Sequence, residues 1–269
     1  MSQPIVDFDQ WWEKEGRHSP GAVWWMEKFR ERQELLYTTF GATSPKDKVF
    51  AFFWDDAKIR IPGACAMTFP PRDSERSEWF TITNGLAQPQ SPQDVTGPGA
   101  ASGYGWEFAL LTKEKTPWRT DLLKQLMTYV KMSRSLIRRG DRIPVGFFRD
   151  KLGDSYPWIK AVHEGDPTPV GEARALLFWP YMQHPGSFTT SVGTFGIMIA
   201  TTITGTEWEM AKQTSSVHLL LLLFRAGIGQ MSDPDRRPVT EDAKWLDEWH
   251  RIRSLATVEA ERLLADYAV

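Results

Sequence analysis

The sequence predicts an α+β fold, and three observations carry that prediction. Helix-type and strand-type apolar periods occur along the chain without the strict alternation of a doubly wound parallel sheet. The stretch Ser102 to Thr112 places Tyr104, Trp106, Phe108 and Leu110 on one face of a strand, with Gly105, Glu107 and Ala109 on the other. A proline-initiated amphipathic helix follows it at once.

The elements read in order as follows. Residues 8–15, with Phe8, Trp11 and Trp12, read as a short helix broken by Gly16. Trp25, Phe29, Leu36 and Phe40 form one stripe of a helix over 21–40, with Ser19-Pro20 as its start and Gly41 as its stop. Val49 to Trp54 is a dense run of strand formers, and Lys58 to Ile61 is read as its return strand. Residues 62–78, rich in proline, glycine and charge, read as an exposed connection. Trp79 to Thr83 is a strand ending at the turn pair Asn84-Gly85. Residues 87–101 lack periodicity and form a loop long enough to carry function.

After the Ser102 strand, Thr116-Pro117 opens a helix buried through Leu122, Leu123, Leu126, Met127, Val130 and Ile137 and stopped by Gly140. Pro144 to Phe148 reads as a short strand and 151–171 as loop. Arg174 to Trp179 and Thr194 to Thr204 are strands, and Thr206-x-x-Glu209 has the form of a capping box. Ser215 or Ser216 caps a helix over Val217 to Ala226, whose five leucines at 219–223 predict complete burial rather than a membrane element. Thr240 caps a C-terminal helix over 240–267, with an apolar seam of Trp245, Trp249, Ile252, Ala256, Leu263 and Tyr267. No composition shift forces a boundary, so residues 1–269 are read as one domain with a helical region over 1–41.

Composition narrows the functional classes. A net charge of −2 gives the whole molecule no steering toward nucleic acid. A single cysteine, Cys65, rules out an internal disulfide and any multi-cysteine metal site. It also points to a reducing compartment, and Met1 to Asp7 lacks a basic-then-apolar leader, so the expectation is a cytoplasmic protein. Thirteen tryptophans suit a core of large plates or an aromatic binding surface.

Motifs for chemistry are scarce. There is no phosphate loop and no Gly-x-Ser-x-Gly elbow, and Gly227-x-Gly229 follows a helix rather than a strand. The five histidines lack i,i+3 or i,i+4 spacing, so the sequence assigns no metal or other cofactor. Glu107 is a carboxylate inside an apolar run. It fits a general acid or base, a strand carboxylate paired with an arginine such as Arg174, or a residue facing solvent; the structural readings carry more weight. The segment Lys113 to Lys151 holds 11 Lys/Arg against four Asp/Glu, a local +7. Lys124, Lys131, Arg134 and Arg138 cluster in its helical projection. Such a cluster is either a solvated face or a docking face for an acidic partner, and Trp11-Trp12, near the terminus, and Trp54, at a strand end, are further candidates for partner contact.

The motif series resembles the Suppressor of fused domain family. Ser102-Gly103-Tyr104-Gly105-Trp106-Glu107-Phe108 matches its Ser-Gly-Phe-Gly-Phe-Glu-Leu-type strand, followed by Pro117-Trp118 and the helix Leu123 to Val130. Gly140-Asp141, Ala175-Leu176-Leu177-Phe178 and Thr194-Phe195-Gly196 follow in the family's order. Gly205 to Glu209 and then Asp233-Pro234-Asp235-Arg236-Arg237 close the series, which is strongest over 79–237. The resemblance implies a mixed, largely antiparallel sheet packed with helices, no enzymatic chemistry, no cofactor, and binding of other proteins. It makes Gly103, Tyr104, Gly105, Trp106, Glu107, Asp233, Arg236 and Arg237 structural family residues, with Glu107 read as an internal tie beside the Asp233 to Arg237 segment.

In animals the family binds Gli-type transcription factors with the help of a second domain. Here Gly99 stands where the animal loop has an acidic ligand contact, and Leu86 to Gln90 holds no tyrosine where that loop has one. Single-domain relatives are mainly bacterial, and many resemble immunity proteins that neutralise a cognate toxin. The resemblance therefore implies an immunity-type antagonist of a toxin. The alternatives are an adaptor that binds a peptide by strand addition, and a hydrolase or transferase built from Glu107, Asp233, Arg236 and His218.

Overall fold

The structure, a computed structural model, describes residues 13, 16–41, 48–54, 60–72, 76–89, 91–95, 97, 99–115, 118–133, 136–144, 173–183 and 187–268. Among these are eight strands: β1 (Lys48–Trp54), β2 (Arg60–Phe69), β3 (Trp79–Asn84), β4 (Ala101–Thr112), β5 (Arg142–Pro144), β6 (Ala173–Pro180), β7 (Phe188–Thr190) and β8 (Gly193–Thr204). Six α-helices accompany them: α1 (Pro20–Phe40), α2 (Trp118–Ser133), α3 (Gly205–Gln213), α4 (Ser216–Arg225), α5 (Ala243–Ile252) and α6 (Thr257–Ala265). The α+β class read from the sequence is thus the observed one. Of the expected helix at 8–15 only residue 13 is described, and residues 73–75 of the expected connection and the loop at 151–171 lie outside the described residues.

The chain forms two compact units: β4 belongs to the first as far as Ala109 and β8 as far as Ile197, and the remainder of each strand belongs to the second. In the first unit the strands run β1-β2-β3-β4-β8, and β7 pairs with the start of β8. The pairings β1–β2, β2–β3 and β7–β8 are antiparallel. Helix α1 begins as its sequence directs. The Ser19 hydroxyl accepts the Ala22 N–H at 3.4 Å, Pro20 opens the first turn, and the chain leaves through Gly41 at φ 93°. Phe40 of α1 packs on Phe80 with ring centroids 4.4 Å apart. Trp79, which points the opposite way from its neighbour, lies under the Arg119 guanidinium of α2. Both faces of β3 are therefore covered, and Phe80 to Asn84 are all buried.

Two expectations fail here for identifiable reasons. The expected exposed connection at 62–78 instead continues β2, and Cys65 to Phe69 are buried. Pro62 is tolerated because it falls opposite Phe52, just where the β1–β2 register shifts. The expected one-sided alternation of β4 is also absent: Glu107 to Thr112 are buried without a break, while Tyr104 and Trp106 are half-buried.

In the second unit the strands follow β4-β8-β6-β5, with β5–β6 and β6–β8 antiparallel. Leu219 to Leu223 of α4 are fully buried, in one core with Ala175, Leu177 and Trp179 of β6 and Trp249, Ile252, Ala260 and Leu264 of α5 and α6. A helix apolar all round belongs in a core. Among the described residues no helix is long and apolar enough to cross a membrane.

Several boundaries differ from expectation. The short strand is Arg142–Pro144 rather than 144–148, and α2 ends at Ser133, leaving Ile137 buried outside it. The single C-terminal helix is two, α5 capped by Asp242 and α6, broken over Arg253 to Ala256. The restart moves the buried positions to Ala260 and Leu264 and leaves Tyr267 37% exposed.

Candidate functional site

The first unit is organised around the Glu107 carboxylate. It accepts the Gly85 N–H at 2.9 Å, the Leu86 N–H at 3.3 Å and the Ala87 N–H at 3.0 Å. The Thr83 hydroxyl donates to it at 2.6 Å and Arg32 Nη2 at 3.0 Å. Five donors around one buried carboxylate answer the desolvation that an isolated charge would suffer. Arg32 also donates through Nη1 to the Ala87 carbonyl at 2.9 Å, and its guanidinium lies 4.1 Å from the Phe195 ring centroid. Burial holds the Arg32 guanidinium below its usual pKa, against the opposing pull of Glu107.

This corrects the pairing read from the sequence. Glu107 is tied neither to Arg174 nor to the Asp233 to Arg237 segment; its partner is Arg32 of α1. The signal for that partner was present in the sequence. Arg32 lies three residues after Phe29 and four before Leu36, so the buried stripe of α1 runs through it.

The capture fixes the start of the loop between β3 and β4. At Gly103, φ is 54°, and an added Cβ would stand 2.6 Å from the Ala87 carbonyl carbon, so the loop can lie against β4 only because this residue has no side chain. Tyr104 N–H then donates to the Leu86 carbonyl at 3.3 Å. The far end of the loop is fixed separately. The Ala100 carbonyl accepts the Thr194 N–H at 2.8 Å and the Thr194 hydroxyl at 3.1 Å. Between these anchors Asp94 accepts the Ser91 N–H at 3.0 Å and the Ser91 hydroxyl at 2.7 Å, closing a single 3-10 turn at Pro92–Asp94. Pro92, Gln93, Asp94 and Gly99 are exposed along the crest.

In the second unit Glu207 plays a matching part. Arg236 grips it bidentately, with both nitrogen–oxygen distances 2.6 Å. Glu207 also accepts the Val239 N–H at 3.1 Å and the Thr204 N–H at 3.0 Å, while Thr204 Oγ1 accepts the Glu207 N–H at 3.3 Å. The capping box is therefore Thr204–Glu207, two residues before the expected Thr206–Glu209. Asp233 makes a local turn, its Oδ1 accepting the Asp235 N–H at 3.0 Å, and Arg237 is exposed.

The structure places the other sequence-derived residues as follows. Gly99 sits on the loop crest at φ 82°, and Arg138 is exposed in the turn before β5. Gly105 adopts φ 76° in β4. Trp54 ends β1, and Lys124 and Lys131 lie on α2; their side chains, like Arg134, fall outside the described set. The groups proposed for hydrolysis are each engaged structurally. His218 Nε2 faces the Leu255 carbonyl at 3.0 Å and must carry the proton there, so Nδ1 receives the Ser215 hydroxyl at 2.7 Å. Among the described residues no three His, Cys, Asp or Glu side chains gather to hold a metal ion.

No protein-family model matches the chain, and no curated protein does. Solved structures do. A crystal structure of Drosophila Suppressor of Fused matches 70% of this chain at 17% identity and a TM-score of 0.51, and this chain spans 45% of that one. The Sufu–Fu complex matches 85% of this chain and 96% of its own at 15% identity and a TM-score of 0.55. A putative Suppressor of fused homologue from Neisseria gonorrhoeae matches 79% and 97% at 15% identity and a TM-score of 0.50. The fold defined by the eight strands and six helices is thus a Suppressor-of-fused-like α+β fold. The resemblance carried by the Ser102 to Phe108 strand holds at the level of the fold.

Proposed function

We propose that this chain is a non-catalytic, cytoplasmic protein-binding module, and specifically an immunity-type protein that binds and neutralises a cognate toxin. One observation carries the binding reading: the β3–β4 loop is anchored at both ends by buried or paired groups and presents an exposed crest. A recognition loop held in one conformation loses little entropy on docking. Gly99 on the crest, Trp54, and the cations Lys124, Lys131, Arg134 and Arg138 are the contact residues of this reading. The Sufu–Fu complex, a protein of this fold with a protein partner, supports it.

The Glu107 carboxylate that the hydrolase reading needs is filled by five donors, which weighs for a scaffold role. The test is affinity capture from the native source with the folded chain as bait. The expected result is one dominant protein whose toxicity in a recipient cell is suppressed by co-expression of this chain. Capture of a non-toxic regulatory protein would replace the immunity role with an adaptor role; repeated failure of folded bait to retain any protein would overturn the binding reading.

A further inference from the structure

Cations of the second unit collect on aromatic rings where β5 meets β6. Arg142 pairs with Leu177 across the two strands, and the Gly140 N–H donates to the Phe178 carbonyl at 2.7 Å. That pairing brings the turn before β5 against β6, and the Arg139 guanidinium lies 4.2 Å from the Trp179 ring centroid. Arg142 stands 5.5 Å from the Trp208 ring and Lys212 of α3 stands 5.3 Å from the same ring. Arg138 is exposed just before this turn. Stacking on a ring holds a long cationic side chain in place before any partner arrives, which lowers the entropy lost on docking.

The carboxylates on the same surface leave two cations uncommitted. Glu261 pairs with Arg139 at 2.7 Å, Glu209 pairs with Lys212 at 2.7 Å, and Asp141 accepts the Arg138 N–H at 2.7 Å. Among the described residues the guanidinium groups of Arg138 and Arg142 meet no carboxylate. Arg142 Nη1 is shut off from water with no acceptor, while the residue as a whole is half-buried.

We propose that Arg138, Arg139, Arg142, Trp208 and Lys212 form a docking surface for an acidic segment of a partner protein. This rests on the protein-binding reading and adds the chemistry of the segment: carboxylates for Arg138 and Arg142, with an apolar side chain for the edge of Trp208. The net charge of −2 gives the whole chain no attraction for a nucleic-acid backbone, which favours a protein segment as the acidic partner.

A fluorescein-labelled peptide of alternating glutamate and leucine, followed by fluorescence anisotropy, tests the surface on the full chain. The Arg138→Gln/Arg142→Gln double variant is expected to weaken binding about tenfold or more. The control Lys244→Gln/Arg253→Gln, with the same charge change at other exposed cations, is expected to change it less than about twofold. Arg138→Gln alone, at an exposed site, supplies a variant whose fold is not at risk and should weaken binding about threefold. Equal losses in the control, no loss in either test variant, no binding by the parent chain, or tighter binding of a duplex DNA probe of matched charge would each overturn the inference. Capture of the native partner separates the two readings. If the double variant retains that partner undiminished, the surface is wrong and protein binding stands; if the parent chain retains none, protein binding itself fails.

Discussion

Arg32 and Glu107 stand 75 residues apart in sequence and meet at 3.0 Å with neither side chain exposed. The pair joins the middle of α1 to the middle of β4 and, through the other acceptor positions of Glu107, to the loop at 85–87. Removing one member of such a pair strands the other, while removing both lets the core close.

Arg32→Met and Glu107→Gln are each expected to lower stability by about 3–5 kcal/mol, measured by urea unfolding. The glutamine amide would turn an N–H₂ toward backbone donors, so Glu107→Gln should be no milder than Arg32→Met. Additive losses in the double variant would show that the two side chains are not coupled.

Amide hydrogen exchange should find the N–H groups of Gly85, Leu86 and Ala87 protected, although they lie outside any strand. Each donates to a buried acceptor that opens only when α1 or β4 yields. In Glu107→Gln these amides should exchange at least about tenfold faster, ahead of amides in α4. Uniform acceleration across the chain would show instead that the carboxylate has no local hold on the loop.

Two glycines with similar backbone angles should respond differently to alanine. At Gly103 the new Cβ meets the Ala87 backbone at 2.6 Å, whereas at Gly99 nothing lies within 4 Å. Gly99→Ala pays only for its φ of 82°, about 1 kcal/mol. Gly103→Ala adds backbone displacement and should lose roughly 2–3 kcal/mol or more by the same unfolding measurement. Equal losses would mean that the loop does not press on β4.

Leu221→Ala, at a fully buried site, should lower stability by about 2–5 kcal/mol, and Leu136→Ala, at an exposed one, by no more than about 0.5 kcal/mol. Thermal unfolding of the two variants beside the parent is sufficient to compare them.

The residues differ in how much of this they disclose in sequence. Helix α1 is legible because Ser19-Pro20, Gly41 and the Trp25 to Phe40 stripe agree with one another. The strand β8 and the leucine helix α4 are legible because β-branched and apolar runs leave them few alternatives. Strand β2 is hidden by Pro62 and Gly63, which punctuate a pattern that a register shift in its partner then accommodates. The break between α5 and α6 is hidden because Trp249, Ile252, Ala256, Leu263 and Tyr267 keep a helical period straight across it. Arg32 is hidden by its chemistry: a charged residue on an apolar stripe reads as a gap until its partner is known. The loop was legible as a loop, but its anchoring was not, since three of the groups that anchor it are main-chain and leave no mark in the sequence.

That last feature bears on how far the loop can vary in sequence. A carboxylate that grips backbone amides is indifferent to the side chains those amides carry. The crest from Ser91 to Gly99 can therefore be rewritten, lengthened or exchanged while Glu107, Arg32 and Gly103 keep the same seat beneath it. On the protein-binding reading proposed above, the fold behaves as a socket with a replaceable insert.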